Sequence, residues 1–232
     1  MDSTLLAEYK QARESCALFD LSSRAKVEVS GAEAAMFLHN ICSNDINHMP
    51  IGAGRESFLA TSTAKAIAFV NVYHFLAQND REAFWIDSEP GSEQRILQHL
   101  DKHLISEQAE FADRTQQFAQ FHLAGPTADV VLERALLDDV PELDQHLHMI
   151  RTFGEDMHCH IRRIDTLGLP GFDIVCLAEL GPRVGQHLLQ AGAKALSEST
   201  REILRIEAGT PVYGMDIDEK RFVVEVDRRD KA

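Results

Sequence analysis

The sequence contains one short pattern twice, and a repeat of this kind constrains the fold more than any single motif does. The segments VEVSGAEAAMFL (27–38) and FHLAGPTADVVL (121–132) align without a gap. In each, an alternating apolar stretch typical of a strand leads through a glycine into helical spacing. The matched pairs are Val27 and Phe121, Val29 and Leu123, Gly31 and Gly125, Ala34 and Ala128, and Leu38 and Leu132. The pattern favours a duplicated unit, although strand–glycine–helix junctions are common enough to coincide by chance.

The rest of the chain extends the repeat into two similar halves. After the shared motif, the first half has predicted strands within 57–76, meeting near 63–65, and at 82–88, and then a helix at 92–104. The second half has predicted strands at 158–165 and 171–177, with helices near 181–192 and 197–208. We therefore predict an α+β fold built from duplicated strand–helix–strands–helix units. The predicted domain covers 1–220, with halves at about 16–113 and 114–208, and a solvated charged tail follows at 221–232.

Charge and apolar content limit the classes of partner. The chain has 37 Asp and Glu against 23 Lys and Arg, for a formal net charge of −14. Such a surface repels nucleic-acid backbones and anionic membranes, so we expect neither as a partner. The sequence shows no signal peptide and no apolar run of membrane-spanning length, which favours a cytoplasmic protein. Its four cysteines form no CxxC pair and are expected to be reduced, inert thiols.

Familiar catalytic and metal-binding motifs are not found. Three histidine pairs have spacings that could share a metal ion: His146 with His148, His158 with His160, and His99 with His103. None has a third ligand at a motif spacing, so surface or packing roles are favoured and no metal is predicted. The sequence has no GxSxG element for a serine hydrolase. It also has no GxGxxG or GxxxxGK loop for a phosphate group.

The densest polar stretch is RIEAGTPVYGMDIDE (205–219). Gly209 suits the left-handed cap of a helix, and Pro211 prevents the helix from continuing. A capped helix followed by an acidic surface turn would explain the stretch on structural grounds alone.

Four motifs in the same order along the chain resemble one family. ILRIEAGTPVYGMDIDE (203–219) is similar to the LRLEAGxxLYGxDID signature of the glycine-cleavage T-protein, an aminomethyltransferase, and of its relative YgfZ. The other three similar stretches are CALFDLSSRAKVEVSGAEAAMFLHNICSNDI (16–46), FADRTQQFAQFHLAGPTA (111–128) and LPGFDIVC (169–176). The KGCYxGQE segment of YgfZ has no counterpart, so the resemblance does not support a YgfZ-type thiol role. The family fold continues into a C-terminal β-barrel, for which this sequence shows no segment.

The resemblance implies a domain that binds tetrahydrofolate or another one-carbon folate in a channel between the two predicted halves. The pterin edge presents a ring N–H beside an amine, and one carboxylate can accept both hydrogen bonds. The family has a Glu at this position and the present chain has Asp173, whose oxygens lie roughly 1.5 Å further back. Tyr213 is the implied channel wall. Arg205 would pair with the folate glutamate tail or an internal carboxylate, and Glu207 would touch the ligand or hold the following loop.

The family's catalytic Asp aligns with Phe69, whose side chain can stack on a ring but cannot accept a proton. We therefore assign no catalytic residue and hypothesise a tetrahydrofolate-binding protein that lacks aminomethyl transfer. One alternative is an active aminomethyltransferase that uses another acid, such as Asp45 in SNDI, and that works with a lipoyl carrier protein. The other is a non-catalytic interaction module that has kept the fold and lost the ligand.

Overall fold

A computed structural model describes residues 3–77, 80–226 and 228. Over these residues the chain forms six α-helices and two β-sheets, which confirms the predicted α+β class. The helices are α1 (Ser3–Glu14), α2 (Ala34–Ile41), α3 (Glu93–His103), α4 (Ala128–Leu136), α5 (Gly181–Gln190) and α6 (Glu198–Ala208). No helix in the described part of the chain is both long enough and apolar enough to cross a membrane.

The strands, in chain order, number eleven within the described ranges. They are β1 (Ala17–Asp20), β2 (Ala25–Ser30), β3 (Gly54–Ala60), β4 (Ala66–Leu76), β5 (Glu82–Ser88), β6 (Glu110–Asp113), β7 (Phe118–Ala124), β8 (His148–Phe153), β9 (Met157–Arg163), β10 (Gly171–Leu177) and β11 (Lys194–Ala195). The chain divides into two compact units, each made of two separate segments. Unit I contains Met1–Ser22 and Gln117–Thr210, and unit II contains Ser23–Gln116 and Pro211–Ala232. The predicted halves were continuous, whereas the N-terminal segment belongs with the second half of the chain.

Unit I is built on a six-stranded sheet in the order β11-β1-β7-β10-β9-β8. One face is apolar and packs against α4 and α5, because alternate residues of β7, β9 and β10 are large hydrophobic side chains. On the opposite face, Ala17, Phe19 and Ala124 join a second apolar cluster with Ala12 of α1 and Leu204 of α6. The remaining part of that second face, on β7, β10 and β9, carries polar side chains, and this is where the candidate site lies.

Unit II is built on a five-stranded antiparallel sheet in the order β3-β4-β5-β2-β6. The predicted strand pair within 57–76 is present as β3 and β4, joined by a turn at 61–65. The segment after residue 220 also belongs here. Ala66 N donates to Arg221 O, and Val223 and Val226 pack on a cluster around Phe58.

Residues 221–226 are therefore not a free tail, because main-chain hydrogen bonds and the side chains of Val223 and Val226 hold the segment against unit II. The other four side chains are exposed, as predicted for a solvated tail. Arg228 is held as well, by an ion pair described below. Residues 227 and 229–232 of the predicted tail lie outside the described residues.

The two glycines matched in the sequence repeat occupy equivalent places in the two units. Gly31 links β2 to α2 with φ 121°, and Gly125 links β7 to α4 with φ 139°. A Cβ atom on Gly31 would lie 2.2 Å from the carbonyl oxygen of Gln108. One on Gly125 would lie 2.0 Å from that of Ser15. Both positions require glycine because the backbone is in the left-handed region and a carbonyl group fills the side-chain space.

We expect Gly125→Ala to lower the free energy of unfolding by more than about 2 kcal/mol, since it adds both strain and a backbone clash. Urea denaturation measures the change. The matched control is Gly209→Ala, at φ 67° with no atom within 4 Å of the added Cβ, for which only about 1 kcal/mol is expected. Equal losses for the two variants would contradict the role assigned to the Ser15 carbonyl group.

Candidate functional site

A row of side chains runs directly across the second face of the unit I sheet. In the strand register, His122 of β7 lies opposite Asp173 of β10, which lies opposite Arg162 of β9. The row continues to Phe19 of β1 on one side and to His148 of β8 on the other. His122 and Arg162 are each 1% exposed and Asp173 is 5% exposed. Buried ionisable groups in such a row are candidates for a functional site.

The Asp173 carboxylate is held by two side chains of β7. His122 Nδ1 lies 2.7 Å from Asp173 Oδ1, and Gln120 Nε2 donates to Asp173 Oδ2 at 3.0 Å. The other ring nitrogen, His122 Nε2, is buried and has no hydrogen-bond partner among the described residues. The predicted ligand carboxylate is thus present and buried, and its two oxygens already accept hydrogen bonds from the protein.

Gly171 makes room for the histidine ring. It lies two residues before Asp173 on β10 and so on the same face of the sheet. A Cβ atom at this position would lie 3.0 Å from His122 Cε1 and 2.8 Å from the carbonyl oxygens of Ile164 and Leu123. The glycine of the GFDI motif therefore leaves space that the imidazole and two backbone carbonyl groups occupy.

The two predicted ligand residues of α6 are engaged by other protein groups. Arg205 is buried, pairs with Glu202 through both its Nε and Nη2 atoms, and donates from Nη1 to the carbonyl oxygen of Thr210 at 2.7 Å. Of the two expected partners, the structure supplies the internal carboxylate. The hydrogen bonds from Arg205 lower the pKa of Glu202.

Glu207 contacts α1, and among the described residues its carboxylate has no hydrogen bond to the loop after α6. Its carboxylate accepts hydrogen bonds from Tyr9 Oη at 2.9 Å and from Arg13 Nη2 at 2.6 Å. These bonds, that from Arg13 first, lower the pKa of Glu207. The pairing joins α6 to α1 within unit I.

Phe69 lies on β4 of unit II and is buried in an aromatic environment. Its ring centroid is 5.0 Å from that of Phe58, and the guanidinium carbon of Arg228 lies 5.4 Å from it. Arg228 also forms a two-pronged ion pair with the buried carboxylate of Glu56 on β3. Position 69 is therefore a hydrophobic contact beside a carboxylate that an arginine neutralises.

Asn71 and Asp87 are further polar groups on the sheet face that carries Phe69. Asn71 follows Phe69 by two residues on β4, and Asp87 lies opposite it on β5. The Oδ1 atom of Asn71 is buried and lacks a hydrogen-bond partner within the described ranges. Asp87 accepts a hydrogen bond from Arg24 Nε at 2.5 Å. Strand β4 contains no acid, and Glu56 and Asp87 on the neighbouring strands are each paired with arginine.

Tyr213 and Phe69 are brought together in one apolar cluster of unit II. The guanidinium carbon of Arg95 lies 4.0 Å from the centre of the Tyr213 ring, a cation–π contact, and burial raises the pKa of its hydroxyl group. The acidic turn that follows is organised by its own carboxylates. Asp216 Oδ2 accepts from Val212 N, and Asp218 Oδ1 accepts from Lys220 N, each at 2.9 Å.

Asp45, the acid of the active-enzyme alternative, lies in unit II on the loop after α2. Its side chain is 43% exposed and interacts with His48 at 2.9 Å and His39 at 3.2 Å. The hydrogen bond to His48 lowers its pKa. The arrangement stabilises the ionised form of an exposed carboxylate.

The histidine pairs and the cysteines offer no other centre. His146 lies before β8 with φ 66°, so it does not share a strand face with His148. No group of three or more potential metal ligands is found in the described part of the chain. All four cysteines are unbridged, and burial raises the pKa of Cys16 and of Cys42 to about 12.

The family model of the GCVT N-terminal domain matches residues 1–227. The chain belongs to this family. Aminomethyltransferases of Bacillus cereus (strain G9842) and Bacillus anthracis (strain A0248) are each 23% identical to this GCVT N-terminal domain over 219 residues. The match covers 93% of the chain and 58% of either relative, so the chain spans a little over half their length. The resemblance to the T-protein stated from the sequence motifs is thereby confirmed.

Solved structures with the same fold agree with this assignment. Glycine cleavage system aminomethyltransferase T from Bartonella henselae matches the domain with a TM-score of 0.81 at 24% identity, covering 93% of this chain and 57% of that one. Heterotetrameric sarcosine oxidase from Corynebacterium sp. U-96 matches with a TM-score of 0.56 at 16% identity, covering 83% and 95% of the two chains. At these identities the likeness shows the fold of the GCVT domain and its order of elements.

Sequence reasoning identified Asp173 and missed the two residues that hold it. Gln120 and His122 alternate with apolar residues in FAQFHLA, which puts both on one face of a strand. That alternation was visible in the sequence. What it could not show was that β10 lies beside β7 with Asp173 opposite His122.

We expect Asp173→Ala to lower the free energy of unfolding by about 2–4 kcal/mol, because His122 and Gln120 would each lose a buried carboxylate as hydrogen-bond acceptor. Urea denaturation of the two proteins gives the difference. Asp156→Ala is the control, since it removes a carboxylate paired with Arg183 at the surface, and we expect little change. A loss no larger than in the control would mean that the Asp173 contacts do not stabilise unit I.

Proposed function

We propose that this domain binds tetrahydrofolate or a one-carbon derivative of it, and that the Asp173 cluster recognises the pterin edge. The observation that supports the proposal most strongly is a buried carboxylate, oriented by His122 and Gln120, at the Glu position of the family's GFEI motif. Burying an ionisable group costs free energy that folding alone does not require. A donor-rich heteroaromatic ring is the chemical class that such a set of acceptors suits.

The other predicted ligand residues enter the proposal with different roles. Arg205 and Glu207 fix α6 and the turn after it, since each is engaged by a protein carboxylate or by α1. Phe69 and Tyr213 offer aromatic surface in unit II. We expect folate to be the small-molecule partner, and a cytoplasmic location remains the prediction made from the sequence.

We further propose that the domain lacks aminomethyl transfer. Phe69 occupies the position at which the family acid aligns, and a phenyl ring neither transfers a proton nor stabilises developing positive charge as a carboxylate does. The nearby acids Glu56 and Asp87 are each paired with a guanidinium group. A lipoyl carrier protein becomes a partner only if transfer is detected.

Isothermal titration calorimetry with tetrahydrofolate under reducing, anaerobic conditions tests binding. The wild-type protein is expected to bind, and Asp173→Asn to bind at least about tenfold more weakly, because an amide replaces one acceptor with a donor. Asp156→Asn, at the surface of the same unit, should bind as the wild type does. No heat and no thermal shift at millimolar tetrahydrofolate would contradict the proposed function.

Ammonia release from an aminomethylated lipoyl carrier in the presence of tetrahydrofolate tests the second proposal. We expect no release above the protein-free rate, because no unpaired carboxylate occupies the position of the family acid. Ammonia release by the wild type would refute this expectation. The Asp45→Asn variant would then decide whether Asp45 supplies the acid, since an unchanged rate excludes it.

A further inference from the structure

His122 has one hydrogen-bonding atom that the described residues leave unused. Its Nδ1 lies 2.7 Å from Asp173 Oδ1, and an ionised carboxylate can only accept, so Nδ1 carries the proton. In the neutral imidazole, Nε2 is then an acceptor. That atom is buried, in a residue that is 1% exposed, without a partner in the described part of the chain. A buried acceptor without a donor is unfavourable in the ligand-free protein and can be satisfied by a ligand.

The ring is held in one orientation from several sides. Asp173 fixes the Nδ1 side, and Gln120 fixes the second oxygen of the same carboxylate at 3.0 Å. Cε1, which is bonded to Nε2, lies over the bare backbone of Gly171. A carboxylate that binds one nitrogen of a histidine sets the tautomer and the direction in which the other nitrogen acts.

We propose that His122 is a specificity-determining residue of this site, whose Nε2 accepts a hydrogen bond from a ring N–H or amine of the pterin. Asp173 is then a positioning residue that keeps His122 in the required tautomer. This inference rests on the proposed folate binding and adds His122 Nε2 to the protein atoms that contact the ligand. Two features of Asp173 lead to this inference. Its side chain is one C–C bond shorter than that of Glu, and its two oxygens already interact with His122 and Gln120.

The variant His122→Asn separates the structural role from the ligand contact. The asparagine amide can still donate to Asp173, but it has no acceptor where Nε2 lies. We expect the variant to fold as the wild type does and to bind tetrahydrofolate about tenfold more weakly in calorimetry. His99→Asn is the control, because it makes the same change at a buried histidine of unit II, and its affinity should be unchanged.

Nitrogen-15 spectroscopy of the imidazole provides a readout that a purely structural role would not change. For the neutral imidazole of His122 in the ligand-free wild type, we expect a proton on Nδ1 and none on Nε2. In Asp173→Asn the amide can donate to Nδ1, so the proton should move to Nε2. Tetrahydrofolate should shift the Nε2 signal of the wild type.

The outcomes separate the two ideas. Equal affinity of wild type and His122→Asn would overturn the role of His122 and leave folate binding in place. A neutral imidazole with its proton on Nε2 in the ligand-free wild type would overturn the role as well, and this measurement does not depend on the variant folding. Failure of the wild type to bind tetrahydrofolate would overturn both proposals.

Discussion

A carboxylate stays ionised inside a protein only where other groups replace the hydrogen bonds of water. Asp173 meets this condition through His122 and Gln120, and the local structure of unit I follows from it. The two partners must alternate on β7 so that both reach the same face of the sheet, and β10 must lie beside that strand in register. Gly171 must lack a side chain because a Cβ atom would clash with two backbone carbonyl oxygens as well as with the imidazole. One charge thus determines the residue types at two positions of β7.

The opposite face of the same sheet has, among the described residues, no buried carboxylate that needs hydrogen-bond partners. There, alternate residues of β7, β9 and β10 are apolar and pack against α4 and α5. Burial of such side chains is the main favourable term in folding, and it needs no specific partner atoms. The stability of unit I and its candidate chemistry therefore come from opposite faces of one sheet. A substitution on the polar face tests function most directly when the variant preserves the hydrogen bonds to Asp173.

In unit II, guanidinium groups are the partners of the buried carboxylates. Glu56 is paired with Arg228 and Asp87 with Arg24, while Phe69 lies between aromatic and cationic neighbours. A carboxylate in place of Phe69 would add another acid beside Glu56 and Asp87, which already have partners. The aromatic side chain instead removes a charge and adds apolar contact. This supports our proposal that the domain retains a ligand-binding fold while it lacks the family's proton chemistry.

Much of the fold could be predicted because it depends on local pattern. The alternation in β2 and β7 and the glycines at 31 and 125 are visible in the sequence, and the structure places each where the repeat predicted. The strand predicted at 171–177 is present as β10. The strands that sequence reasoning missed are β1, β6, β8 and β11. Three of them are two to four residues long, too short to show a period, and β8, β6 and β11 lie at sheet edges where burial imposes less pattern.

The sequence by itself determined the family, the α+β class, the duplicated strand–glycine–helix element and the identity of Asp173 as the candidate acceptor. Local spacing and motif order are enough for each of these. Only the tertiary structure decided that His122 and Gln120 hold Asp173, that Arg205 pairs with Glu202, and that Arg228 covers Phe69 and Glu56. The reason is physical. Hydrogen bonds and ion pairs depend on distances between strands and segments that are far apart in the chain, and no local pattern encodes which of them become neighbours.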